Sequence, residues 1–213
     1  MSKNCSRLHS LVRQAKPSAF PYDEGIIPAN GIYVLFEAGE DAHGGQRTVR
    51  VGTHTGDNQL PSRLNQHFVK ENKDRSIFRK SIGRALRKRP NDPFLKWWNL
   101  DLTTSDAKRR YASGIDSSRQ RRIEAKVIKY IQENFTFMVF RVDDKATRLE
   151  LESKMISTVS LCKECDPSDR WLGRYSPKAK IRDSGLWLVN ELHKEPLAEE
   201  DFANLEQIIR GAV

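Results

Sequence analysis

Gly31-Ile32-Tyr33-Val34-Leu35-Phe36, then Arg47-Thr48-Val49-Arg50-Val51-Gly52, then Leu60-Pro61-Ser62-Arg63-Leu64-Asn65-Gln66-His67-Phe68 is the stretch from which the rest of the chain takes its place. The first run is rich in β-branched and aromatic residues and predicts a buried strand. Residues 38–46 carry Gly39, Gly44 and Gly45 and predict a loop, after which the second run alternates polar and apolar as a half-exposed strand does. The two strands form a hairpin. The third run predicts a helix: Pro61 falls in the first turn, where a missing N–H is tolerated, and Leu60, Leu64 and Phe68 recur every four residues as a buried stripe. Arg63 and His67, also four apart, share the neighbouring face.

Outward from this stretch, residues 1–30 read as an arm: a short helix around Arg7 to Arg13, then Pro17, Pro21 and Pro28 holding the chain extended. On the other side, Arg75, Arg79, Lys80, Arg84, Arg87, Lys88 and Arg89 surround an apolar pattern of Ile77, Phe78, Ile82 and Leu86, which predicts a basic helix with its cations outward. Trp97-Trp98 predicts an anchor for this region against the body, with base stacking as the sharper alternative. A further helix from Ser117 carries Ile123, Val127, Ile128 and Ile131 on its inner side, and Phe135 to Val142 is apolar enough to be a strand covered on both faces. The helix Thr147 to Val159 places Glu152 inside the stripe of Leu149, Ile156 and Val159. A carboxylate there needs a cation or a metal. The expected fold is α+β: a small three-stranded sheet flanked by helices, with a large basic helical insertion. The expected organisation is an arm over 1–30, a domain over 31–195 with its insertion at 70–134, and a terminal helix over 196–213.

The chain has 213 residues and a net charge of +9, long enough for a sizeable core and basic enough to favour a polyanionic partner. The charge is concentrated, because residues 60–130 hold 19 Lys and Arg against 7 Asp and Glu, so nucleic acid is a better match than a diffusely basic surface. Three cysteines do not make a disulfide framework. Cys162-x-x-Cys165 with Cys5 falls one short of a four-thiolate zinc site, with His193 the imidazole in view. No apolar run spans a bilayer and no signal-peptide core is visible, so the expectation is an intracellular, cytoplasmic protein of prokaryotic type with no membrane partner.

Gly31-Ile32-Tyr33, Arg50-Val51-Gly52 and Arg63-x-x-x-His67 together resemble the signatures of the GIY-YIG nuclease superfamily, with Arg50 where the second signature tyrosine stands. Each of these is weak alone; a core tyrosine or a solvated helix face explains any one of them. The resemblance covers about residues 31–159 and implies a DNA endonuclease. Tyr33 would be the general base or would orient the attacking water, Arg63 would pair with the phosphate, and His67 would hydrogen-bond the phosphate or Tyr33. Glu152 would be the metal ligand, for Mg²⁺ or Mn²⁺. His54 would occupy the space of the absent tyrosine. Arg50, Arg79, Lys80, Arg84, Arg87 and Lys88 would contact nucleic acid. Many members carry a downstream asparagine, for which Asn190 is the candidate. A restriction, defence or mobile-element role, a structure-selective repair nuclease and a catalytically inactive binding module all remain open at this point, and cutting both strands with one site would call for a homodimer or two encounters.

Overall fold

The computed structural model describes residues 2–211; Met1 of the arm and Ala212 and Val213 of the expected terminal helix lie outside it. In chain order it contains α1 (Ser2–Val12), β1 (Ser18–Ala19), β2 (Gly31–Ala42), β3 (Gly45–Gly52), α2 (Leu60–Phe68), α3 (Ile77–Lys88), α4 (Leu95–Asn99) and α5 (Ser105–Tyr111). There follow α6 (Ser117–Asn134), β4 (Phe135–Arg141), α7 (Lys145–Ser160), α8 (Ala179–Ser184) and α9 (Glu199–Arg210). The strands form one open antiparallel sheet of four, in the order β1-β4-β2-β3.

This corrects the three-stranded expectation. The proline-rich arm is extended, and its backbone pairs with β4 through Ser18↔Phe137 and Ala19↔Thr136, covering what would otherwise be an open edge. The predicted loop over 38–46 is also mostly strand. Only His43 and Gly44 turn, both with positive φ (50° and 78°), as a two-residue hairpin turn requires.

The continuous apolar run of β2 follows from burial on both faces. Ile32, Val34 and Phe36 point into one core with Met138, Phe140 and residues of α1, α7 and α9. Tyr33 and Leu35 point into the other, with Phe135, Phe137 and the apolar faces of α2, α3 and α6. Residues 70–134 are therefore not a peripheral appendage: Phe78, Ile82, Ile123, Val127 and Ile131 complete the second core.

β3 is buried rather than half-exposed. Its polar positions end in protein: Arg47 Nη2 is 2.7 Å from Glu40 Oε2, and its Nη1 donates to Gly185 O. Trp187 N donates to Val49 O, so the segment after α8 lies along the outer edge of β3. That segment also forms one wall of a cleft lined by Arg50 and Glu152.

Two glycines of the motif are dictated by close approach. A Cβ on Gly31 would lie 2.1 Å from Phe140 O, and one on Gly52 would lie 2.2 Å from the hydroxyl of Tyr33, its cross-strand partner. The second signature glycine thus makes room for the phenol of the first.

Candidate active site

Tyr33 is fully buried beneath β3, and its position on the α2 side of β2 aims the phenol at His67, in the last turn of α2. Tyr33 Oη and His67 Nε2 are 2.8 Å apart, and His67 Nδ1 is 2.7 Å from Ser76 Oγ. Ser76 is the N-cap of α3 and also accepts Arg79 N–H. Arg50 Nε donates to Tyr33 Oη at 3.2 Å, and Arg50 Nη1 donates to Trp187 O. A guanidinium is only a donor, so the phenol accepts from Arg50 and is free to donate to His67 Nε2. That assignment puts the ring proton on Nδ1, facing Ser76. Burial, reinforced by Arg63, Arg50 and Arg79, holds the pKa of His67 well below that of a free imidazole, so the ring is neutral.

On the cavity side of Arg50 lies a cleft of about 440 Å³ whose lining includes Arg50, Arg63, Glu152, Trp187, Asn190 and Glu191. Glu152 projects from α7, whose start is fixed by Asp144 accepting Thr147 N–H. Its Oε1 accepts Thr53 N–H at 3.0 Å from the loop just after Gly52. Among the described residues Glu152 forms no ion pair. Burial raises its pKa, and Arg50, the Thr53 hydrogen bond and Arg63 only partly offset this. A carboxylate so placed, with one oxygen free of protein donors among the described residues, fits a hard divalent cation that retains waters. Arg63 is equally free of carboxylates: its Nη1 reaches only Gln66 Oε1 and Arg75 O, and its side chain lines both the main cleft and a neighbouring one with His54 and Gln66.

Other expected residues fall elsewhere. Arg50, at the sequence place of the second signature tyrosine, meets Tyr33, whereas His54 is engaged with backbone. His54 Nδ1 must carry the proton it gives to Gly56 O, and Nε2 accepts Gly31 N–H, so both ring nitrogens are committed to backbone. The cations of α3 are not outward. Arg79 is paired with Glu124, Lys80 with Asp74, and Arg84 with Asn99, all three arginine and lysine side chains being buried. Arg87 is paired with Asp92, and of the residues expected on this helix to meet nucleic acid only Lys88 is exposed. The apolar stripe alone could not show that acids from α6 and the 72–74 turn would reach over these cations. Trp98 is an anchor, buried with its Nε1 donating to Lys80 O.

A family model described as a GIY-YIG domain matches residues 6–212. The chain belongs to the GIY-YIG family. No curated protein and no solved structure matches it at a significant level. The family match runs through α1 and α9, beyond the 31–159 core that carries the motifs. Within this GIY-YIG fold, Asn190 stands on the rim of the same cleft as Glu152, brought there because the 185–191 segment folds back along β3. Sequence distance hid that placement. Nothing in the sequence marked Glu37, which accepts the indole N–H groups of both Trp171 and Trp187 at 2.8 Å and so seats the residue whose carbonyl holds Arg50.

Proposed function

We propose that the protein is a metal-dependent endonuclease that hydrolyses phosphodiester bonds in DNA, with Glu152 holding Mg²⁺ or Mn²⁺ and Arg63 binding the scissile phosphate. The observation that carries this reading is the shared cleft: an unpaired carboxylate and two guanidinium groups line it, and a phenol hydrogen-bonded to a neutral imidazole lies directly behind one of them. The bound ion would polarise the phosphate and relieve charge on the departing oxygen. Arg63 neutralises a phosphate oxygen through its planar fork, and Asn190 on the rim positions it by hydrogen bonding. Neutral His67 accepts the Tyr33 hydroxyl hydrogen bond at Nε2 and so orients the phenol oxygen for the attacking water. Arg50 shields the phenol while the cleft is empty, and a phosphate draws its guanidinium away and opens Tyr33 to that water. Exposed Arg75, whose carbonyl Arg63 touches, and Lys180 beside Val189 are the cations proposed to track the DNA backbone, in place of the buried ones on α3.

A restriction, defence or mobile-element role is the biological setting proposed for this chemistry. The second reading, an inactive DNA-binding module, is favoured by one observation, the complete burial of Tyr33 behind Arg50. Supercoiled plasmid incubated with Mg²⁺ separates the two: the endonuclease converts it to nicked and linear forms and EDTA stops this, whereas a binding module leaves the topology unchanged and only retards the DNA in a gel.

A further inference from the structure

Cys5 lies far in sequence from Cys162 and Cys165, yet all three are buried and converge on the side of the sheet opposite Tyr33. Cys5 Sγ is 3.8 Å from Cys165 Sγ, and His43 Nε2 is 3.4 Å from Cys162 Sγ. One ligand atom from each of Cys5, His9, His43 and Cys165 lies within 4.8 Å of all the others. The Cys5–Cys165 and Cys162–His43 separations match edges of a zinc tetrahedron: Zn–S near 2.3 Å and Zn–N near 2.0 Å put sulfur atoms about 3.8 Å apart and sulfur and nitrogen about 3.5 Å apart.

From this geometry we infer a structural zinc site in which Cys5, Cys162, Cys165 and the Nε2 of His43 are the four ligands. His9 stands beside it as a wall. Its Nε2 accepts Thr48 N–H at 3.0 Å and its Nδ1 is 2.9 Å from Cys5 O, so both nitrogens are already engaged with backbone. The Cys162-x-x-Cys165 pair has the spacing at which one turn of chain presents two sulfurs to a single ion. His43 occupies a positive-φ turn position where Asn, Asp or Gly is the usual choice, and the turn aims its ring at the sulfurs. Binding releases the thiol protons to solvent. The ion would tie α1, the tip of the β2–β3 hairpin and the end of α7 together. It is distinct from the ion proposed at Glu152, which lies ten residues earlier on α7, about 15 Å along the helix.

The test is the zinc content of the full chain purified without chelator, measured by mass spectrometry of the metal, with Glu152→Ala, Cys165→Ala and His43→Asn prepared alongside. The wild type and Glu152→Ala should each hold one equivalent of zinc, and Co²⁺ exchanged into the site should show the intense bands of a tetrahedral thiolate centre. Asparagine suits the turn at 43, so His43→Asn should fold, hold at least tenfold less zinc after dialysis, and lose the chelator-induced fall in Tm seen in wild type. Wild type without zinc and with three freely titrating thiols, a Cys5–Cys165 disulfide in the mass spectrum, full zinc in both Cys165→Ala and His43→Asn, or loss of zinc in Glu152→Ala would each overturn the assignment.

Discussion

Glu152, the metal ligand of the proposed site, is a side chain whose burial is costly to the fold. Its pKa is raised chiefly by burial, so at neutral pH its charge opposes folding, in contrast to a salt-bridged carboxylate. Glu152→Gln is therefore expected to abolish cleavage while raising Tm in metal-free buffer, the signature of a site selected for activity over stability. A lower Tm would mean that the carboxylate is a structural anchor instead. His67 carries the opposite charge type and the same lesson. Its folded pKa lies well below that of the unfolded residue, so as pH falls through about 6.5 the unfolded chain binds a proton that the native one refuses. Stability from this group is present above that pH and is lost below it, at up to about 1.4 kcal/mol per pH unit. Urea titrations at pH 7.5 and 5.5 should show the wild type losing more stability than His67→Gln; equal losses would place the protonation elsewhere.

At the level of elements, the hairpin and the motif helix could be read from residue spacing because local physics fixes them: alternation and β-propensity for β2 and β3, a four-residue apolar repeat and Pro61 for α2. Helix periodicity puts Arg63 and His67 on one face, whereas Tyr33 is singled out by its place in the sequence that resembles the family signature. What could not be read depended on pairing across long sequence separation. The arm became a strand because β4 had a free edge. The α3 cations turned inward because Glu124 and Asp74 met them, and Asn190 reached the cleft because Trp187 is held by Glu37 from β2. The Glu37 carboxylate accepts three hydrogen bonds, from Tyr130, Trp171 and Trp187. Glu37→Leu would leave those donors buried without partners, at a cost on the order of 3 kcal/mol. Its near-UV circular dichroism should change as the two indoles loosen, and cleavage should fall as the cleft wall formed by Trp187 and Asn190 loosens. Glu37→Gln keeps one amide oxygen to accept both indole N–H groups and can donate its NH2 to the Tyr130 oxygen, so it should stay within about 1 kcal/mol of wild type. A leucine variant with wild-type stability and spectrum would contradict this coupling.

The whole molecule divides its labour across one sheet. One face, closed by α2, α3 and α6, carries the phenol and imidazole and borders the cleft; the other, closed by α1, α7 and α9, carries the cysteine cluster. Among the described residues no helix is long and apolar enough to cross a membrane. The net charge of +9 predicts DNA binding that weakens steeply with salt. Because each chain offers one cleft with Glu152, nicked circles are expected to accumulate before linear DNA unless two copies act together, and the time course of plasmid forms distinguishes a monomer from a dimer. The central claim is that residues from four separate elements act as one hydrolytic site. Its most direct measurement is single-turnover cleavage by wild type, Tyr33→Phe and Glu152→Ala in Mg²⁺, with DNA affinity recorded in parallel. The account predicts at least a roughly hundredfold loss of cleavage in each variant with affinity held within a few-fold; cleavage by either variant at the wild-type rate, or a wild type that binds DNA and never cuts it, would contradict it.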